Sequence, residues 1–466
     1  MVTMRSLFAV PLNRLSGLLR MALFVILSLA VAVRPATAQS VLRDAETEAL
    51  LNDMARPLII AAGLQPNNVQ LVLLQDKEVN AFVAGGQTVY IHSGLIAAAD
   101  NINQVEGVVA HELGHITGGH IVRMGEGMKP ATGITILSLL LGAAAMAAGG
   151  TEAGMGAIMA GQQAAMGKFL AFSRTVEAST DSAGARYLRG AGISGKGMMQ
   201  FWDKYRALEY RYSSSYAPVD PYMQTHPRPA DRAAALEQDL KSSPYWDKPT
   251  DPALEARFQR VKAKLAGFVG DPQTTLRVYP ETDKSLPARY ARAYAWHKAA
   301  YPDKAEAEID GLIGLAPHDP YLLELKGQVL LESGKPKAAL APLREAVQRS
   351  GNAPLISALL GHALIASEDP ANFDEARRVL KVSVARDNDN PFAWYQLGIV
   401  YAREGDQPRA ALATAERYSL IGQQRLALAS AEAAMRGIPQ GTPDYLRAQD
   451  IVMASRAAAE DSKRRR

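Results

Sequence analysis

The chain has 466 residues, of which 21% are charged, a formal net charge of +4 at pH 7 and no cysteine. The absence of cysteine excludes disulfides, thiolate metal ligands and a cysteine nucleophile, so any metal chemistry must use histidine and carboxylates. Four arginines and no acidic residue lie within residues 1–38, so the remainder is formally neutral and gives no indication of a nucleic-acid partner.

The N-terminus has the pattern of a secretory signal peptide. An arginine-containing start is followed by an apolar run from Met21 to Val33 and then by Ala36-Thr37-Ala38, a small-x-small cleavage site. We predict that residues 1–38 are removed and that the mature chain begins at Gln39 in the periplasm. The alternative is a retained membrane anchor, but a run of 13 residues is shorter than the roughly 20 needed to span a bilayer.

The length and a change in composition predict more than one domain. About 430 mature residues exceed what one hydrophobic core usually organises. Up to about residue 240, β-type apolar runs alternate with helical segments, whereas the pattern after Pro252 is almost wholly helical. The predicted organisation is an α+β domain at 39–250, linker helices at 251–286, an all-α region at 287–452 and a basic tail at 453–466.

Residues 111–115 read His-Glu-Leu-Gly-His and indicate a metal site. On a helix, residues four apart lie on one face, so His111 and His115 can bind the same ion from adjacent turns. Glu112 then lies beside the ion, where a carboxylate can act as a general base toward metal-bound water. The alternative, a solvated helix that happens to carry these residues, is disfavoured by the apolar residues at 105 and 108–110.

Residues 132–167 are rich in alanine, glycine and methionine. The apolar run from Ile134 to Ala148 is short for a transmembrane helix and ends at Gly149-Gly150. We therefore favour a buried or flexible flap over the active site. The alternative is a helical hairpin that touches a membrane.

A catalytic zinc site needs a third protein ligand. The metzincin spacing would place a histidine at position 121, but this residue is Ile121, and His120 is rotated by roughly 100° on a continuous helix. A later helix offers carboxylates instead. Glu177 and Asp181 are four residues apart, so Glu177 can bind the metal while Asp181 fixes the tautomer of a histidine ligand.

The second half contains an internal repeat with intervals of 34 and 37 residues. Three prolines and three glycines recur at these intervals: Pro320, Pro354 and Pro391, and Gly327, Gly361 and Gly398. This period, with small residues where helices cross and proline near the turns, is typical of tetratricopeptide repeats. The predicted solenoid has a concave face that binds peptides or proteins. A plain helical bundle is the alternative.

The combination of His111-Glu112-x-x-His115 with Glu177-x-x-x-Asp181 resembles the gluzincin peptidases related to HtpX and the CAAX prenyl proteases. The resemblance implies an α+β gluzincin-type metalloprotease domain followed by an all-α tetratricopeptide repeat solenoid. It also implies that His111, His115 and Glu177 bind one Zn²⁺ per chain, that Glu112 is the catalytic base and that Asp181 supports a ligand. One departure is Thr180, where the family usually has alanine.

A second match to this family is Asn80-Ala81-Phe82 with Gly85-Gly86 and Val89-Tyr90-Ile91. In the family this element is a strand beside the active-site cleft. Asn80, Val89, Tyr90 and Ile91 are therefore candidates for a backbone that pairs with an extended substrate.

The segments at Arg43-Asp44-Ala45-Glu46 and Thr225-His226-Pro227 resemble the BepA (YfgC) type of this family, which is periplasmic and has a C-terminal tetratricopeptide domain. The resemblance implies that His226 occupies the fourth zinc position and holds the enzyme closed. The alternative is that His226 only caps a helix or lines the cleft. The implied partners are unfolded or misassembled outer-membrane proteins and their assembly machinery, bound through the tetratricopeptide domain.

We therefore expect a periplasmic zinc endopeptidase, peripheral to a membrane or soluble, that acts in the quality control and assembly of outer-membrane proteins. The alternative from another class is a tetratricopeptide chaperone or assembly scaffold with a closed or inactive zinc site. A third hypothesis is an integral-membrane peptidase.

Overall fold

The computed structural model describes residues 40–147, 151–213 and 236–464, so the predicted signal peptide and His226 lie outside the described residues. The elements of the first half are β1 Ser40–Leu42, α1 Ala45–Ala61, β2 Gln70–Gln75, β3 Ala81–Ala84, β4 Thr88–His92, α2 Ser93–Ala98, α3 Ile102–Thr117, α4 His120–Ala147, α5 Thr151–Ala191 and α6 Lys196–Ser213. Those of the second half are α7 Pro252–Val269, α8 Pro272–Val278, α9 Leu286–Lys298, α10 Pro302–Leu315, α11 Pro320–Glu332, α12 Pro336–Arg349, α13 Pro354–Ala366, α14 Phe373–Arg386, α15 Pro391–Arg403, α16 Gln407–Leu420, α17 Gln424–Met435 and α18 Pro443–Arg464.

The strands form one four-stranded sheet in the order β1-β2-β4-β3. Strand β2 runs parallel to β4, and β3 pairs with β4 as an antiparallel hairpin. The hairpin turn contains Gly85 and Gly86, which both have positive φ (62° and 101°), a conformation that residues with a Cβ rarely adopt. Among the described strands, β3 is therefore an edge strand, and it contacts α3.

The sheet order corrects the predicted substrate strand. Val89, Tyr90 and Ile91 lie in β4, whose backbone is paired with β2 on one side and β3 on the other, so these residues cannot pair with a substrate. Residues Ala81–Ala84 of β3 have the available edge instead. The predicted motif spans both strands of the hairpin, and alternation along a sequence does not determine which strand is the outer one.

Helix α3 is buried almost completely and carries the His111–His115 pentapeptide. The side chain of Asn101 caps its start by accepting a hydrogen bond from the backbone N–H of Gln104, and residues 102–114 are all buried. The surrounding core includes α1, β2, β4 and α6. A buried helix in a packed core fixes the direction of its side chains, which a metal site requires.

Close packing between α3 and α5 depends on two glycines. A Cβ atom on Gly114 would lie 2.9 Å from the carbonyl oxygen of Thr180, and one on Gly184 would lie 3.2 Å from the backbone nitrogen of His111. The two helices can approach this closely because neither position has a side chain. The approach places the part of α5 around Glu177 opposite the histidines.

Helices α4 and α5 form an antiparallel hairpin with an exposed apolar outer part. The segment Met128–Met146 has 19 residues and a mean hydropathy of 1.4, and only 11% of it is buried. By length and composition alone it could cross a bilayer. A buried flap is therefore wrong for this segment, whereas a flexible flap and a membrane-touching hairpin stay predictions. The helices approach closely where small residues meet, for example Gly142 against Gly154, and many of their large apolar side chains remain exposed.

The second half is a stack of antiparallel helix pairs, which confirms the predicted tetratricopeptide solenoid. Pro320, Pro354 and Pro391 each begin a helix, where a missing N–H costs nothing. The three extra residues of the longer interval coincide with a 3₁₀ turn at Pro370–Asn372. Helix α18 continues to Arg464, so the predicted boundary at residue 452 falls within a helix.

The repeated glycines predict different responses to alanine at equivalent positions. A Cβ atom on Gly361 would lie 2.5 Å from Cγ of the fully buried Leu380, whereas one on Gly398 would lie 3.4 Å from Cβ of Ala413. We expect Gly361→Ala to be less stable than Gly398→Ala by about 1–3 kcal/mol, because only the former overpacks the helix crossing. Both variants gain the same helix propensity, so the comparison isolates packing. Urea denaturation followed by circular dichroism measures the difference, and equal stabilities would contradict it.

Buried charges join the start of α1 to the second half. Lys264 of α7 is only 3% exposed and pairs with Asp44 and Glu46, the latter at 3.3 Å. Arg260 of the same helix pairs with Glu46 and, through two hydrogen bonds of 2.5 and 2.8 Å, with Asp319 at the start of α11. We call these five residues the buried ion-pair network. It holds α1, α7 and α11 together at one point.

Candidate metal centre and active site

Two helices supply the predicted site residues. Helix α3 carries His111, Glu112 and His115, and α5 carries Glu177 and Asp181. His111 and Glu112 are 0% exposed, and Glu177 and Asp181 are 2% and 3% exposed. Burial of several ionisable groups at one place is costly unless they share a compensating charge, so this arrangement points to a functional site.

Donor atoms of three side chains lie close together, and Glu177 faces each histidine with a different carboxylate oxygen. Nε2 of His111 is 3.2 Å from Nε2 of His115 and 3.5 Å from Oε2 of Glu177, and Nε2 of His115 is 3.4 Å from Oε1 of Glu177. Ligand atoms arranged tetrahedrally at 2.0–2.1 Å from a zinc ion are about 3.3–3.4 Å apart. These three residues therefore fit Zn²⁺ in both donor chemistry and spacing.

Asp181 determines the tautomer of His111. Its Oδ1 atom lies 2.9 Å from Nδ1 of His111, so Nδ1 carries a hydrogen and Nε2 is the ring nitrogen that is left to bind a metal ion. Burial by itself disfavours the imidazolium, but the hydrogen bonds and charges of Asp181 and Glu177 outweigh it and raise the pKa of His111 to about 9. The carboxylates of Asp181 and Glu177 thus favour a positive charge at the position of His111.

His120 and Thr180 were not predicted as site residues, although both contact the cluster. Nδ1 of His120 lies 3.1 Å from Nδ1 of His115 and 3.1 Å from Oγ1 of Thr180. The expectation that His120 points away assumed one continuous helix. The chain instead leaves the helix at Gly118 and Gly119, the latter with φ of 61°, and begins α4 at His120. Consecutive glycines are a helix-end signal that could have revealed this change of direction.

The residues that were predicted to pair with a substrate do not lie on a single strand. Asn80 precedes β3 and is buried, and its backbone carbonyl accepts a hydrogen bond from the N–H of His92. Val89, Tyr90 and Ile91 belong to the inner strand β4. The edge strand β3 is the described strand that both contacts α3 and leaves one side of its backbone available.

A buried His-His-Glu cluster with a second glutamate beside it is a metallopeptidase arrangement. The model of Peptidase family M48 matches residues 42–240, which include the whole cluster. These residues form a peptidase family M48 domain, and the chain is a metalloprotease with a tetratricopeptide-type second half.

Similar proteins extend the match beyond this domain. The chain is 27% identical over 387 residues to the beta-barrel assembly-enhancing protease of Yersinia pestis, covering 80% of this chain and 76% of the relative. It is 26% identical over 402 residues to the protein of the same name from Escherichia coli (strain K12), covering 84% and 79%. Among solved structures, YrrB, described as a TPR protein with an unusual peptide-binding site, is 21% identical and covers 38% of this chain and 91% of its own, with a TM-score of 0.31.

Proposed function

We propose that the chain is a zinc-dependent endopeptidase of the periplasm that acts in the quality control and assembly of outer-membrane β-barrel proteins. The observation that carries the proposal is the cluster of His111, His115 and Glu177, whose donor atoms lie 3.2–3.5 Å apart between residues, with Glu112 next to His111 on α3. The signal-peptide pattern supports the location. Two relatives that match this chain over 387 and 402 residues are named for β-barrel assembly, and their names support outer-membrane β-barrel proteins as the substrates.

The mechanism assigns one task to each residue. His111, His115 and Glu177 would hold Zn²⁺, which when bound would supply a Lewis acid and lower the pKa of water. Glu112 accepts the proton of the attacking water and passes it to the leaving amine. Asp181 holds His111 in the tautomer that directs Nε2 toward the cluster.

Substrate positioning is assigned to β3. Its outer edge offers backbone N–H and C=O groups to an extended peptide, and its contact with α3 places such a peptide beside the pentapeptide. Backbone pairing accepts many sequences, which suits an enzyme that removes misassembled proteins. The concave face of the solenoid recruits these clients.

We also assign an inhibitory role to His226. It lies outside the described residues, so this proposal rests on Thr225-His226-Pro227 and its resemblance to the corresponding segment of the BepA type. A histidine in the fourth zinc position would exclude water until a client or partner displaces it.

The test is proteolysis of an unfolded outer-membrane protein by purified residues 39–466, with bound zinc quantified. We expect cleavage by the wild type, loss of cleavage after chelation, recovery on addition of Zn²⁺, and faster cleavage by His226→Ala. If wild type and His226→Ala both bind one zinc and neither cleaves, the chaperone or scaffold alternative replaces the enzyme. Equal rates for these two proteins would instead remove only the inhibitory role of His226.

The exposed hairpin supports peripheral contact with a lipid bilayer. Between Lys129 and Lys168 the chain has one charged residue, Glu152. Large apolar side chains are exposed on both helices, for example Leu140 at 64% and Met159 at 65%. Close helix contact through small residues with large apolar residues outside is typical of helices that pack in lipid. A hairpin of this kind can insert while the peptidase core remains in water.

A matched pair of variants tests membrane contact. Leu140→Glu places a charge in the apolar segment, whereas Leu315→Glu changes a leucine with the same 64% exposure at the end of α10. We expect Leu140→Glu to reduce binding to phospholipid vesicles by on the order of a hundredfold, because a charge within the apolar layer costs about 2.5–3.5 kcal/mol. Leu315→Glu should bind as wild type does. Flotation on a density gradient measures both, and equal binding by all three proteins would exclude the hairpin as the contact.

A further inference from the structure

We propose that His92, Asp76 and Glu78 form a second site for a divalent transition-metal ion, at one end of the sheet. Each of the three side chains offers one ligand atom, and these atoms lie within 4.8 Å of one another. The site shares no residue with the proposed catalytic zinc site, so the inference goes beyond the proposed function and does not depend on it.

The order and direction of the strands bring Asp76 to His92. Strands β2 and β4 are parallel neighbours, and Leu74 of β2 is aligned with His92, the last residue of β4. Asp76 follows β2 directly. Because the carboxyl ends of parallel strands lie at the same edge of a sheet, the residue after β2 meets the end of β4. Oδ2 of Asp76 lies 3.8 Å from Nδ1 of His92.

A tight turn brings Glu78 to the same place. Oδ1 of Asp76 accepts a hydrogen bond of 2.9 Å from the backbone N–H of Glu78. The turn is packed against the start of α2, where the Ser93 hydroxyl donates to the carbonyl oxygen of Asp76 at 2.8 Å. A Cβ atom on Gly94 would lie 2.3 Å from the carbonyl oxygen of Glu78. The backbone of the turn is thus fixed, and the exposed side chain of Glu78 can move toward a bound ion.

His92 is the residue that points to a ligand. It is 1% exposed, and neither of its ring nitrogens has a hydrogen-bond partner among the described residues. Burial lowers the pKa of His92, and although Asp76 and the backbone of Glu78 oppose this effect, neither is in hydrogen-bonding geometry with the ring. A buried polar nitrogen without a partner is costly, and a metal ion bound to Nδ1 would remove this cost.

Asn80 provides a second polar group at the same place. It lies opposite His92 in the hairpin of β3 and β4, where its carbonyl oxygen accepts a hydrogen bond of 3.0 Å from the N–H of His92. Residues paired in this way have their side chains on the same face of the sheet. Oδ1 of Asn80 is also buried without a hydrogen-bond partner in the described part of the chain. A cation and its bound water would satisfy both side chains.

The donor set determines the class of ion. One neutral imidazole and two carboxylates have a net charge of −2, which balances a divalent cation. Mixed nitrogen and oxygen donors favour Zn²⁺ or Mn²⁺ over Mg²⁺ and Ca²⁺, which prefer oxygen ligands alone. The turn that carries Glu78 leads into β3, so an ion bound here would also hold the start of that edge strand.

The test is the number of zinc ions bound per chain by residues 39–466 in equilibrium dialysis against buffered Zn²⁺. We expect two ions for the wild type and one each for Asp76→Asn and His92→Phe. Asparagine keeps the acceptor oxygen of the turn without the negative charge, and phenylalanine keeps a flat ring without nitrogen. An excess of Mg²⁺ should not displace the second ion, and displacement would contradict the assignment to a transition metal.

Asp283→Asn is the matched control. Oδ1 of Asp283 accepts a hydrogen bond of 2.9 Å from the backbone N–H of Ser285, which is the same turn at the same distance as at Asp76. This variant should bind two zinc ions. The thermal midpoint of each metal-free variant should equal that of the wild type. Loss of zinc together with a lower midpoint in both Asp76→Asn and His92→Phe would assign these residues a role in packing instead.

Two further outcomes separate this inference from the proposed function. If the wild type binds one zinc ion and cleaves an unfolded outer-membrane protein, and Asp76→Asn does the same, the second site is wrong and the proposed function stands. If the wild type binds one zinc ion that Asp76→Asn loses, the second site stands and the proposed catalytic zinc fails.

Discussion

Substitution of Glu112 by glutamine should lower the rate of peptide hydrolysis by about 10²–10⁴-fold and leave one zinc ion bound per chain. Glutamine has the same shape as glutamate but cannot accept the proton of the attacking water. Glu112 is 0% exposed and lies outside the His111, His115 and Glu177 cluster, so its loss should not change the metal ligands. Proteolysis of an unfolded outer-membrane protein and quantification of bound zinc measure both parts of the expectation.

Glu106→Gln is the matched control for this variant. Glu106 lies on the same helix, is 5% exposed and accepts a hydrogen bond of 2.9 Å from Asn103, which glutamine can also accept. Burial raises the pKa of Glu106, so the neutral amide resembles its protonated form. The control should cleave as wild type does. If Glu112→Gln retained full activity with its zinc, the assignment of the base would be wrong.

The second large effect is on stability. Lys264→Met should lower the free energy of unfolding by about 3–5 kcal/mol, because it leaves buried carboxylates without their compensating charge. Although burial opposes its ionisation, the charges of Asp44 and other neighbours hold the pKa of Lys264 well above the usual value, so the side chain remains charged. Methionine has a similar length, and the loss therefore reports charge more than packing.

Lys337→Met is the control for Lys264→Met, because Lys337 is exposed and lies outside the buried ion-pair network. Its effect should stay within about 0.5 kcal/mol. Urea denaturation of residues 39–466 followed by circular dichroism measures both variants. Equal midpoints would show that the network contributes no net stability and that other contacts join α1 to the second half.

The parts of the molecule that sequence predicted well depend on local periodicity. Helical spacing requires that His111 and His115 share a face, and the same applies to Glu177 and Asp181. The solenoid could be predicted because each repeat places proline at a helix start and glycine at a helix crossing. The same crossings also show a difference that spacing does not predict, since Gly361 faces leucine and Gly398 faces alanine.

The features that were missed depend on contacts between distant segments or on one change of chain direction. Val89–Ile91 lie in an inner strand of the sheet, and the alternation of side chains within a strand does not indicate the order of the strands. His120 lies at the site because helix α3 ends at Gly118 and the chain changes direction there. The buried ion-pair network joins Asp44 to Lys264 across more than two hundred residues of sequence. Each of these charged residues, considered alone, is typical of a solvated surface.

The buried ion-pair network also has a mechanical consequence. Helix α1 contacts both α3 and α5, so the helix that anchors the solenoid also packs against the two helices that form the candidate zinc site. If a flexible tether joined the solenoid to the peptidase domain, a bound client could reach the site from any direction. A solenoid fixed in this way instead holds a bound client at a set distance from the site. A protein held on the solenoid should then be cut only where its chain can span the set distance to the site, and fragment lengths should record that distance.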